Sequence, residues 1–209
     1  MVRSIITRYP ALVGYSLVGL MWLLALIAWA QNTPSAFTQP SAYDIFPLFG
    51  LMGFGGLLTT YVVNALSIYF KVPSDKLSSF YQTMGYTILI LIVSHPTALL
   101  ARLFIDGYGV PPFSYAAYVN PDYVWVVWLG TISLFVFLAF ELRRWFSRRG
   151  WWKWVVYAND IAMLLVLYHG LTLGTELRKS WLKYIWWLYA VILIVTLIYL
   201  RIIAKRKRQ

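Results

Sequence analysis

Six stretches of this chain are long, apolar and nearly free of charge, and they constrain its fold more than any other feature. They run near Ala11 to Ala30, Phe46 to Phe70, Ser79 to Leu103, Tyr123 to Phe140, Trp154 to Leu173 and Trp181 to Leu200. Each reaches the roughly 20 residues that cross a hydrocarbon layer of about 30 Å as a helix. Lipid offers backbone groups no hydrogen-bond partner, so a spanning segment must satisfy its own. No ten-residue alternation of apolar and polar residues appears, which excludes a membrane barrel. With 61% hydrophobic and 12% charged residues in 209, the chain has too little polar surface for a water-soluble globule. The expected fold class is an all-α integral membrane protein, a six-helix bundle forming one domain over residues 1–209.

Arg3 and Arg8 precede the first apolar stretch and "AWAQ" (Ala28 to Gln31) closes it, a pattern shared with cleaved signal peptides. Its apolar run exceeds the 7 to 15 residues of a signal core, so it is read as a retained span. Orientation follows from lysine and arginine in the short loops. Arg3, Arg8, Lys71, Lys76, Arg143, Arg144, Arg148, Arg149, Lys153 and the tail "RIIAKRKRQ" all fall on one side. The loops "QNTPSAFTQPSAYD" and "DGYGVPPFSYAAYVNPD" hold neither residue, and Arg178, Lys179 and Lys183 are a mild exception. Both termini are therefore expected in the cytoplasm, with the protein in the inner (plasma) membrane. The net charge of +11 is then a matter of topology and anionic lipid, and nucleic acid is not an expected partner.

The loops are short, no Gly/Ser linker or internal repeat is apparent, and no flavin or nucleotide module is expected on this chain. The chain has no cysteine, which excludes disulfides, iron–sulfur clusters and c-type haem attachment.

Its two histidines both sit in apolar runs, His95 in "LIVSHPTALLARLF" and His169 in "MLLVLYHGLTLG". On spans of the same direction, His95 lies about 16 residues, roughly 24 Å, beyond the start of the third and His169 a comparable distance along the fifth. Two helices thus bring one imidazole each to similar depth in the outer half. That arrangement suits a haem gripped from both faces. It equally suits histidines that line a wet cavity or bond a neighbouring carbonyl, although ionisable groups in a membrane are functional by default. Pro96 follows His95 and removes a backbone bond, which would re-aim the imidazole.

"MGYTILILIVSH" (Met84 to His95), with its glycine ten positions before a histidine, resembles the third helix of the ferric reductase-like transmembrane domain family. "ELRRWFSRRGWWKWVVYANDIAMLLVLYHG" is similar to that family's basic, Trp-bearing loop leading into a helix that ends in Leu-x-His. The resemblance covers the six-helix plan. It implies a b-type haem with His95 and His169 as axial ligands. It also implies a transmembrane electron-transfer protein, the electron-carrying part of an oxidoreductase system.

Members of that family usually carry a further histidine thirteen or fourteen residues before the outer ligand, for an inner haem. Here those positions hold Gln82 or Tyr81 and Val156 or Val155, and "FYQT" replaces the basic residues before the hydrophobic-Gly pair. One haem is therefore expected, with the inner volume filled by side chains or lipid; Tyr81, Trp152, Trp154 and Tyr157 are bulky enough to help.

Arg102, two turns beyond His95, is a candidate partner for a haem propionate or a snorkelling residue. Ala158 and Ala162 share the His169 face and leave space for a ring. Asp160, inside the fifth span, calls for a partner among the loop arginines or a part in proton handling for a quinol. The many Trp and Tyr residues are read mainly as interfacial belts.

The expected donors are a membrane quinol, bringing quinone into the list of cofactors, or a cytosolic flavoprotein on the arginine-rich loop. The expected acceptor is an extracytoplasmic redox partner protein or oxidant such as ferric iron. The competing readings are a haem-free small transporter or assembly factor, and a haem-based redox sensor.

Overall fold

The computed structural model describes residues 2–203. The tail cations Lys205, Arg206, Lys207 and Arg208 lie outside the described residues, as does the side chain of Arg144. Six helices are long and apolar enough to cross a membrane: α1 Pro10–Asn32, α2 Ala42–Phe70, α3 Ser78–Ile105, α4 Val124–Glu141, α5 Trp152–Leu173 and α6 Leu182–Ile198. Their limits fall within a few residues of those read from the apolar runs. Short helices at Val2–Arg8, Phe113–Tyr118, Arg143–Phe146 and Thr175–Lys179 and 3-10 turns occupy the connections, and no strand occurs among the described residues.

Local signals set several boundaries. Pro10 opens α1 at a position where its missing N–H costs no helix bond. Ser41 opens α2 with a reciprocal cap, its Oγ accepting from the Asp44 N–H while Asp44 accepts from the Ser41 N–H. The chain leaves α2 through Lys71 in the left-handed region at φ 55°, where Val72 N–H reaches back to the Ser67 carbonyl.

The two most extensive helix contacts are α2 with α3 and α4 with α5, so the bundle contains two hairpins, each a pair of sequential antiparallel spans. One core joins them to α1 and α6 through Ala28, Leu58, Met163, Leu167 and Leu193, and a second packs Val18, Val63, Phe80 and Ile88 between α1, α2 and α3. Lipid exerts no hydrophobic force between helices, so close approach over small residues holds such a bundle together. Gly14 lies under the Phe80 ring and Gly56 under Ile88; a Cβ at either would come within 2.6 Å and 2.7 Å of them.

The bundle has two distinguishable ends. At the basic end Lys76 Nζ donates to the Thr7 carbonyl, and Asp160 is held by Arg201. At the far end Trp181 donates to Gln31, Thr33 donates to Glu176, and Tyr43 donates to Asp106.

Asp160 does take an arginine partner, but from the end of the sixth span and not from the α4–α5 loop. Arg201 Nε and Nη2 reach its two oxygens at 2.5 and 2.8 Å. Of the rings expected to help fill the inner half, Trp152 is buried against Phe140, Trp154 is 65% exposed, and Tyr157, 41% exposed, lies beneath the Arg201 guanidinium.

Removing one member of a largely desolvated ion pair leaves the other uncompensated. Arg201→Ala should therefore destabilise the protein by about 2 kcal/mol, discounted for the partly exposed guanidinium. Asp160→Asn combined with Arg201→Gln should recover most of that loss. Thermal unfolding in detergent checks both; a double variant no better than Arg201→Ala would contradict the pairing argument.

Candidate functional site: a pair of inward histidines

His95 and His169 come from different hairpins and meet, their ring centroids 6.5 Å apart and their planes at 87°. The same device holds both. His95 Nδ1 lies 2.8 Å from the Phe46 carbonyl oxygen on α2, and His169 Nδ1 lies 2.9 Å from the Val126 carbonyl oxygen on α4. A carbonyl only accepts, so Nδ1 carries the proton in each ring and the Nε2 lone pair is left unprotonated. Among the described residues neither Nε2 takes part in a hydrogen bond.

The rings reach those carbonyls because a glycine stands one turn further along each partner helix. Gly50, four residues after Phe46, faces the His95 ring, and Gly130, four residues after Val126, faces the His169 ring. A Cβ at either position would come within 2.8 Å of the imidazole. The two hairpins are thus built alike: carbonyl and glycine at i and i+4 on the first helix, histidine on the second. No repeat was apparent in the sequence because the two versions share only an apolar residue, three intervening positions and a glycine, "FPLFG" and "VVWLG". Their carbonyl-to-histidine separations also differ, at 49 and 43 residues.

An Nδ1–H fixed by a backbone carbonyl, with the Nε2 lone pair left free, is the arrangement in which imidazoles bind metals. Among the described residues no three His, Asp or Glu side chains come together. A bare tetrahedral ion draws three or four ligands from the protein. A macrocyclic iron brings four nitrogens of its own and needs two more. His95 and His169 would supply those two, so the donor set fits a bis-histidine haem.

The site is roofed at the far end. The short helix Phe113–Tyr118 places Tyr118 edge-on to Phe46, which itself lies 5.2 Å from the His95 ring, and Tyr115 against Trp128 and Thr131. These contacts involve loop residues that no pattern in the sequence singled out.

Arg102 sits beyond this roof, its side chain 43% exposed and paired through Nε and Nη2 with Asp106 at 3.1 and 2.9 Å. Asp106 also accepts from Tyr43. Two of the five guanidinium N–H groups are engaged there. Ala162 is buried and accepts through its carbonyl from Ser133, an α4–α5 contact. Gln82 is exposed and turned from the bundle interior.

Compared with models of known protein families, with characterised proteins and with solved structures, the chain matches none.

In an open helix interior Gly→Ala stabilises by about 1 kcal/mol, whereas overpacking costs about 1 to 3 kcal/mol. Gly50→Ala and Gly130→Ala should therefore lower the midpoint of thermal unfolding. Gly85→Ala, whose Cβ meets nothing within 4 Å, should leave it unchanged or raise it. Equal effects at all three positions would show that the histidine rings do not occupy the glycine faces.

Proposed function

We propose that the chain is a b-type haem electron carrier of the ferric reductase-like kind, with His95 and His169 as axial ligands of one haem. The observation that carries this reading is the matched pair of imidazoles, each held through Nδ1 by a carbonyl over a glycine, with their ring centroids 6.5 Å apart across the two hairpins. Haem, when bound, supplies an iron whose two axial positions are filled and which exchanges single electrons in preference to binding oxygen. The carbonyl bonds set each imidazole's tautomer and direction, and they raise the basicity of Nε2. The aromatic roof of Phe46, Tyr118 and Tyr115 keeps water from the site. Arg102 offers its remaining N–H groups to an anionic propionate, in competition with Asp106.

The lysine and arginine bias supports a plasma-membrane orientation with both termini in the cytoplasm. In that orientation the histidines lie toward the outer face. Electrons then pass from a membrane quinol, or from a cytosolic flavoprotein on the arginine-rich loop, to an extracytoplasmic partner protein or oxidant.

Four measurements test these points. His95→Ala and His169→Ala should each abolish a low-spin haem spectrum while the protein still inserts; unchanged spectra in both would refute the ligand assignment. Protein without a Soret band after expression with haem would favour the haem-free transporter or assembly factor. A reporter after Gln209 should be cytoplasmic and a tag between Pro34 and Pro40 accessible from outside, and the reverse pattern would invert the direction of transfer. Pyridine haemochrome assay against amino-acid analysis should give one haem per chain, and a ratio near two would place a second haem in the inner half.

A further inference from the structure

Between α3 and α4, on the basic side of the histidine pair, lies an open cleft of about 100 Å³ lined by Tyr61, Tyr81, Gly85, Ile92, Phe137 and Asn159 among others. Its upper end is Ile92, one turn before His95, and its lower end approaches Arg143 at the basic end of the bundle. Most of its lining residues are half-buried and at membrane depth, so the cleft faces lipid. We infer that this cleft binds the ring of a lipid-soluble quinone or quinol, its isoprenoid tail remaining in the bilayer. The inference rests on the proposed electron-carrier reading and locates the donor within it.

Two polar walls separate this occupant from a lipid acyl chain. On the α2–α5 wall Asn159 Nδ2 donates to the Tyr61 hydroxyl at 2.6 Å, and Tyr61 donates to Asp160 at 3.1 Å, which Arg201 holds in turn. Asn159 is buried, and this bond engages only one of its amide groups, leaving a donor and an acceptor at the cleft. On the α3 wall stands Tyr81. Its hydroxyl lies beside Ser67, which gives its own proton to the Asn64 carbonyl and can accept from Tyr81.

Buried amide groups left without partners, as on Asn159, cost about 1 to 3 kcal/mol each, and an acyl chain would leave that cost in place. A quinone carries oxygens at opposite edges of a flat ring and can serve both walls. Gly85 belongs to the same wall as Tyr81, and a Cβ there would meet nothing within 4 Å. The open face beside the ring site is therefore kept by the absence of a side chain.

The test is calorimetric titration of decyl-benzoquinone into the haem-loaded, nanodisc-embedded protein. One saturable site per chain is expected. Gly85→Leu, which fills the cleft from a position with free space, should weaken binding at least tenfold, and Tyr61→Phe should weaken it several-fold. Both variants should retain the wild-type haem spectrum. The inference is overturned by absent saturable binding to the wild type, by unchanged affinity in both variants, or by a second haem lost in Gly85→Leu. Loss of quinone binding with an intact haem spectrum supports the cleft alone. Quinone binding without any bound haem would sink the electron-carrier reading and leave the cleft standing.

Discussion

Each imidazole in this bundle is aimed by one hydrogen bond, from Nδ1 to a carbonyl on the neighbouring helix, and the usefulness of the site depends on that bond. Without it the ring of His95 or His169 would be free to choose its rotamer, its tautomer and its partner. With it the proton is assigned to Nδ1 and the lone pair of Nε2 is left free. The bond requires a helix backbone to come unusually near another helix's side chain, which only glycine permits at Gly50 and Gly130. Membrane bundles already favour small residues at helix contacts. The same choice that brings the helices together thus also exposes a carbonyl to each histidine.

The spans were legible because their signal is large: some twenty apolar residues in lipid leave no other economical arrangement of the backbone. The two histidines were legible as site candidates because a polar ring in an apolar run is conspicuous. Their partners were hidden. Phe46 and Val126 contribute main-chain oxygens, which every residue has, and nothing in their side chains announces the role. Gly50 and Gly130 stand among thirteen glycines, and only the pairing of helices distinguishes them from Gly19 or Gly85. Asp160 was recognised as needing a partner, but loop arginines are nearer in sequence than Arg201, which comes into reach only when α6 packs beside α2 and α5.

The two halves of the bundle differ in character. Toward the far end the interior is closed by ring contacts around Phe46, Tyr115 and Tyr118. Toward the basic end it remains open between α3 and α4, and a polar chain from Asn159 through Tyr61 and Asp160 to Arg201 crosses it. Histidines at the inner positions would have made this second half a copy of the first. With Gln82 turned outward and Val156 lacking a lone pair, the inner half keeps a cleft where side chains do not fill it.

The central proposal is that His95 and His169, whose ring planes stand at 87°, would together hold one haem. Electron paramagnetic resonance of the purified ferric protein tests it most directly, because the relative orientation of two axial imidazoles controls the splitting of the iron d orbitals. Perpendicular planes predict a single, strongly anisotropic low-spin signal. A rhombic low-spin signal of the parallel type would contradict the geometry, and a high-spin signal would show that the two histidines do not share one iron.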